Sequence, residues 1–594
     1  MAFLSFEIEH CDGTEFVLMP ACAYNGNRFP VLKKEYPPMF TPEEASVDMP
    51  SYITDVPRLE SDGTGRIEVT TGDLAVPCVG VFLPGRKQAV FVFTVQSLDG
   101  QNIGIAYERG TVELTWPARR TFLYRWPHMV PNPEPWHNQP AEIPAKILRV
   151  ECENLSEFYR IFFENRKCMG MDDERPDVMP RAEQKRILIK KYNCENWFAD
   201  QEFYGTVTTS DPSGRWFQAG WIGGGMLSYA LLKIGGAQEQ LRARKTLRFM
   251  LGMQHESGLF WGGFTDNGLE NVDGFGIPGT EFWTSIRKNS DILYYLIKHL
   301  ALLDPAETLF SAAEESARKL AQVLTEIWHT HGQMGQFADI RTGKLVVGNS
   351  AAGALAAGAL ASAAQSFGRQ DWLQAASEIG EWLYDTFTAR GYSNGGPNEI
   401  LQCPDSESAI ALLESYAALY QVTRKQRWLD AAKDAAHQLS SWVVAYNYAF
   451  PAGSEFARLG MKTVGAVFAN VQNKHAAPGL CTFSGESIRR LYYWTGDARY
   501  LELYLDVTQT MAQYISTEER PIYSWSVPKD ATANSQNDVT VDSMPLNSGY
   551  VCERVNMSDW ETEKCVGGVF NASCTWCEIN SLLMLADDCN VEAH

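Results

Sequence analysis

The chain has 594 residues, too many for one hydrophobic core, so at least two domains are expected. A formal net charge of -21 excludes a surface built for nucleic acid or anionic membrane, both of which need basic patches. The composition is globular, 45% hydrophobic and 21% charged, and no run reaches the roughly 18 apolar residues of a membrane span. Seventeen tryptophans suit sugar-stacking platforms, although filling large cores is their commoner use. Thirteen cysteines, an odd number without tight spacing, fit a reducing compartment. MAFLSFEIEH lacks a basic region followed by an apolar core, so the expected location is cytoplasmic unless an export signal has been removed.

In chain order, residues 1-150 read as strands. FLSFEIEH, EFVLMP, RIEVTT, QAVFVFTVQ, NIGIAYE, TVELTW and TFLYRW are short β-branched or aromatic runs parted by Gly, Asp and Pro. An antiparallel β-sandwich is predicted. The proline-rich loop Pro127–Pro144 is a boundary or a strap. Residues 151-190 form a linker containing a helix, SEFYRIFFENRKCMG. Residues 191-594 are helical hairpins, with starts predicted near Gln218 and Ala237, Thr280 and Pro305, Ser350 and Gln370, Ser406 and Gln426, and Ser484 and Ala498. One phrase recurs: a helix opened by a cap, a short polar break (GRQD, TRKQR, TGDAR), then an aromatic residue and leucine. A last helix, Trp576–Ala586, has no partner after it; the helix at Ser156–Met169 is expected to supply one and close a ring of six hairpins.

This layout, a leading β-sandwich followed by six hairpins, resembles the (α/α)6 toroid of the six-hairpin glycosidase superfamily. The resemblance implies an inner and an outer ring of six helices, with catalytic groups at the N-terminal ends of the inner helices. The loop lengths agree. Links from inner to outer helix are short, while 255–279, 331–349, 391–405, 445–483 and 517–574 are long and emerge at one rim.

Those loops concentrate acids and aromatic residues, the pairing that glycoside hydrolysis requires. The candidate catalytic carboxyls are Glu281, Asp405, Glu407 and Glu486. Glu281, flanked by Phe282 and Trp283, is expected to have a raised pKa suited to a general acid. Capping is the competing use of Asp405 and Glu407. Candidate substrate-binding residues are Trp221, Trp261, Arg287, Asn398, Lys474, His475, Trp560 and Trp576, with Arg287 or His475 meeting a substrate carboxylate. Asp405, at the mouth of an inner helix, is similar to the acid/base aspartate of unsaturated glucuronyl hydrolases, whose second Asp motif is not recognisable here. Cys481 and Cys574-x-x-Cys577-Glu578 fall where a toroidal family of β-L-arabinofuranosidases binds zinc. The adjacent cysteine pair of that family is missing, so buried thiols, no metal and no cofactor are expected.

The predicted function is a glycoside hydrolase acting from chain ends on oligosaccharides that contain a uronic acid, in the manner of a β-glucuronidase. The partner is an oligosaccharide, not nucleic acid or membrane, and a homo-oligomer is open. A polysaccharide lyase using Tyr392, Tyr448, Tyr523 or His475 as base is the alternative, and a non-catalytic sugar-binding protein or sugar epimerase the second.

Overall fold

The computed structural model describes residues 2–30, 40–49, 56–118, 142–177, 179–221, 223–271, 276–397, 403–473, 475–526, 540–541, 544–557, 566–569 and 575–588. The run TFLYRW, most of the proline-rich loop, and Asn398, Lys474, Trp560 and Cys574 lie outside the described residues.

The N-terminal strands are β1 (Ala2–Glu7), β2 (Phe16–Met19), β3 (Ala23–Tyr24), β4 (Ile67–Thr70), β5 (Cys78–Leu83), β6 (Gln88–Thr94), β7 (Ser97–Leu98), β8 (Gln101–Asn102), β9 (Gly104–Glu108), β10 (Thr111–Trp116) and β11 (Ala145–Glu151). They form a four-stranded sheet in the order β1-β10-β9-β4 and a five-stranded sheet in the order β11-β6-β5-β2-β3, with β7 and β8 as a separate hairpin. Alternate residues of both sheets meet in one apolar cluster, with Val17, Val79, Val81 and Val92 from one and Ile67, Val69, Ile105 and Leu114 from the other. Sequence reading missed β5 and β11.

The other face of the five-stranded sheet is also covered over β2, β5 and β6, so these strands are buried on both sides, whereas the edge strand β11 is largely exposed. Helix α1 (Leu155–Asn165) lies on it and stacks Phe158 on Phe91 at 4.7 Å between ring centres. That cluster continues into the helical part of the chain.

Helix α2 (Arg181–Lys191) precedes the hairpins α3 (Gly224–Ile234) with α4 (Ala237–Leu251), α5 (Ile286–Leu300) with α6 (Thr308–His331), α7 (Ala356–Phe367) with α8 (Gln370–Thr386), and α9 (Ser406–Thr423) with α10 (Gln426–Leu439). A one-turn helix α11 (Glu455–Leu459) interrupts the loop before α12 (Glu486–Thr495) with α13 (Ala498–Thr510), and α14 (Trp576–Asp588) ends the series. Contacts run α3 to α5, α5 to α7, α7 to α9, α9 to α12, α12 to α14 and α14 back to α3, so the six inner helices close a ring. Small residues let α7 fit between α5 and α9: a Cβ on Gly358 would come within 2.8 Å of the Ser415 backbone.

Two expectations are corrected. The helix that lies against α14 is α2, whereas α1 sits on α10 and the sheet. The inner helices α3, α5 and α7 also start later than predicted, at Gly224, Ile286 and Ala356. Trp216–Gln218 and Trp283–Ser285 are extended strands that pair with Gly263–Thr265 and Phe337–Asp339, and ladder bonding at the rim replaces the first helical turn. Among the described residues no helix is long and apolar enough to cross a membrane.

Candidate active site at the ring mouth

A cavity of about 190 Å³ opens at the N-terminal end of the inner ring. Its walls come from the lead-ins to α3, α9 and α12, from the first residue of α14, and from the loop holding Glu553 and Arg554. Of the predicted site residues, Trp221, Glu407, His475 and Trp576 line it.

Trp221 is held by strain on one side and hydrogen bonds on the other. Its backbone is left-handed (φ 64°), rare for a bulky side chain, and a Cβ on the preceding Gly220 would meet the Lys288 carbonyl at 2.5 Å. The Trp221 backbone N–H donates to Asp291 Oδ2 (2.9 Å) and its indole N–H donates to Glu407 Oε2 (2.9 Å).

Glu407 faces the cavity from the first turn of α9. Its Oε2 also accepts from Arg287 Nη1 at 2.9 Å, which leaves Oε1 free of both donors. Arg287 is fully buried and donates in addition to Asp291 Oδ2 (3.3 Å), the Gly396 carbonyl (3.1 Å) and Thr482 Oγ1 (3.0 Å). It is therefore committed to protein partners and does not line the cavity, contrary to the expectation that it meets a substrate carboxylate. Cys481 lies beside Glu407 in the cavity wall, and burial pushes its thiol pKa well above the ordinary value.

Two neighbouring acids, Asp405 and Glu407, take different roles. Asp405 caps α9: Oδ1 accepts from the Ser408 backbone N–H (2.6 Å), and Oδ2 accepts from Ser408 Oγ (2.9 Å) and Gly396 N–H (3.1 Å). Burial raises its pKa to about 7 against those hydrogen bonds, and it is not in the cavity wall.

The second carboxyl of the cavity is Glu553, which sequence reasoning missed. Burial raises its pKa, opposed by a hydrogen bond from Trp576 and by the charge of Arg554. It lies in an irregular segment, with no cap, repeat or motif to mark it. His475 completes the wall. Burial, helped by Arg554, lowers its pKa to about 3, so the ring is neutral. Its Nδ1–H donates to the Ala476 carbonyl (3.1 Å), which places the lone pair on Nε2.

The remaining candidates lie elsewhere. Glu281 is exposed, and its carboxyl is lowered by the Gly279 backbone N–H (2.9 Å), not raised as expected. Trp261 packs half-buried near Phe282 and His255. Glu486 sits at the opposite end of the ring, because residues 480–485 descend into it without helical structure and α12 begins low. There Glu486 pairs with Arg490 (2.8 Å) and lies 3.9 Å from Lys298, in the last turn of α5. Among the described residues no group of three or more His, Cys, Asp or Glu is placed to hold a metal ion.

No family model matches the chain, and no curated protein matches it by sequence. Solved structures do resemble it in layout. A D-mannose isomerase is 11% identical with a TM-score of 0.43, covering 68% of this chain and 96% of its own. A family 76 glycoside hydrolase from a bovine Bacteroides thetaiotaomicron strain is 13% identical with a TM-score of 0.41, covering 86% and 97%. An unsaturated glucuronyl hydrolase specific for heparin is 10% identical with a TM-score of 0.40, covering 70% and 98%. The chemistry is therefore read from the cavity itself.

Proposed function

We propose that the chain is a glycoside hydrolase working at the ring mouth on oligosaccharides that carry a uronic acid. One observation carries this reading: two carboxyls line one cavity in opposite surroundings. Glu407 rests against a buried guanidinium, and Glu553 is pushed toward its protonated form by burial. Unequal surroundings are how one site divides acid and base roles between like groups. Glu553 protonates the leaving oxygen, and Glu407 faces the anomeric carbon, attacking it or activating water. Trp221 and Trp576 offer flat apolar surface to the sugar ring, and Arg554 is the wall cation that suits a uronate. A volume of about 190 Å³ is small beside the roughly 300–1,000 Å³ usual for ligand pockets, which favours binding one terminal unit.

In this reading the two N-terminal sheets (1-150) are a β-sandwich that buttresses the ring. Residues 151-190 link the two parts, and 191-594 are the catalytic toroid. The test is a panel of nitrophenyl glycosides and acidic oligosaccharides. Hydrolysis of β-linked glucuronides in preference to neutral glycosides is expected; hydrolysis confined to neutral sugars would overturn the substrate assignment. A second reading is β-elimination, favoured by the neutral imidazole of His475 next to the Arg554 charge, since a base and a cation that neutralises the uronate are its requirements. Ultraviolet absorbance of an unsaturated uronate would decide for the lyase.

A further inference from the structure

Beneath the cavity, one side chain touches several elements of the wall. Arg287, fully buried in the first turn of α5, donates to the loop before α9 at Gly396, to α9 itself at Glu407, and to the lead-in of α12 at Thr482. Its helix neighbour Asp291, also fully buried, accepts from Arg287 and from the Trp221 backbone, which adds the lead-in of α3. Four of the six inner-helix mouths therefore meet at one ion pair.

Thr482 shows how firmly that knot is held. It is β-branched yet left-handed (φ 65°), a costly conformation that persists only when surroundings over-determine it. Three of its polar atoms are bound: the N–H donates to Asn580 Oδ1 (2.9 Å), the carbonyl accepts from Tyr295 Oη (2.6 Å), and Oγ1 accepts from Arg287. Cys481, the next residue back, is thereby fixed in the cavity wall against Glu407.

We infer that Arg287 is a positioning residue. Its planar fork holds the Glu407 carboxylate in place by Oε2, and through Thr482 it holds the Cys481 side of the wall, without touching substrate. A fork suits this task better than a lysine, whose single ammonium cannot serve diverging acceptors. The groups that face Glu407 are Arg287 and Asp291 from α5, Cys481 from the α12 lead-in and Asp405 from its own helix, with His475, Glu553 and Arg554 across the cavity.

The inference rests on the reading of Glu407 as a reacting carboxylate, and the test separates the two. Arg287→Lys should lower kcat by roughly tenfold or more and leave KM for an acidic glycoside within about twofold, because the carboxylate is no longer held squarely. Thr482→Ala, which removes an acceptor without reaching the cavity, should lower kcat less, and Thr482→Ser should restore it; this pair decides the matter where Arg287→Lys does not fold. A raised KM at unchanged kcat in Arg287→Lys would show Arg287 to be a substrate ligand and overturn the inference. So would wild-type kinetics in both Arg287→Lys and Thr482→Ala while Glu407→Gln is inactive. Full turnover by Glu407→Gln would instead overturn the reading of the site.

Discussion

The ring buries charge at both ends, and the two ends differ in whether that charge borders a cavity. At the far end Asp587, in the last turn of α14, accepts from Tyr229 (2.7 Å), Lys233 (3.0 Å) and Ser484 (2.7 Å), and lies 3.5 Å from Lys298. Lys298 in turn lies over the rings of Tyr229, Tyr294 and Tyr295. Glu414 there accepts from Ser487 (2.7 Å) and Tyr294 (3.1 Å). Those acids have protein donors on both oxygens. At the mouth, Asp291 Oδ1 and Asn473 Oδ1 are buried without a hydrogen-bond partner, and the Glu407, Glu553 and His475 side chains line a cavity. Arg489 Nε at the far end also lacks a hydrogen-bond partner, so the cavity is what sets the mouth apart: charge packed between helices locks them together, and charge beside a cavity is equipped to bind and react.

This contrast can be broken first at the mouth. Glu407→Gln and Glu553→Gln should each lower kcat by about 10²–10⁴-fold, the usual worth of a general acid or base; Glu553→Gln should leave the thermal midpoint little changed, while Glu407→Gln should also lower it, because buried Arg287 keeps only Asp291 as a carboxylate partner. The next largest effect belongs to the far end. Asp587→Asn leaves Lys233 and Lys298 without their shared carboxylate and should cost roughly 3 kcal/mol in chemical denaturation, while kcat stays near that of the wild type.

Smaller, and different in sign, is the effect of Asp405. Its folded pKa is raised to about 7, so the protonated form is favoured in the native state and its contribution to stability is full below the unfolded value near 3.8. That contribution is lost as pH rises toward 7. Asp405→Asn should flatten this fall when the thermal midpoint is followed against pH. The smallest effect is expected at Glu281, exposed and remote from the cavity: Glu281→Gln should alter stability by no more than about 0.5 kcal/mol and leave turnover intact.

Much of this architecture is legible in the sequence because the outer helices start at polar breaks that recur. Starts at Ala237, Gln370, Gln426 and Ala498 coincide with the predicted ones. The inner starts are harder to read, since RWFQ and WTS are compatible with helix or strand and the rim ladders decide. The closing helix is hard to identify from sequence because SEFYRIFFEN has the stronger apolar face, yet that face is spent on the sheet, where Phe158 meets Phe91. In the site, Glu407 and the two tryptophans follow from their position at helix mouths. Glu553 does not, because nothing local distinguishes it from a surface acid; only the fold brings it beside Trp576. Glu486 shows the reverse error: a helix start in sequence that sits deep in the ring.

The central claim, that Glu553 donates the proton to a departing sugar oxygen at the ring mouth, is tested most directly by changing the leaving group. Wild-type and Glu553→Gln rates would be compared on nitrophenyl and dinitrophenyl glycosides of the same uronic acid. Glu553→Gln should recover most of its lost rate on the dinitrophenyl substrate, whose leaving group needs no protonation, while Glu407→Gln should not. An equal deficit of Glu553→Gln on both substrates, or no deficit on either, would contradict the account.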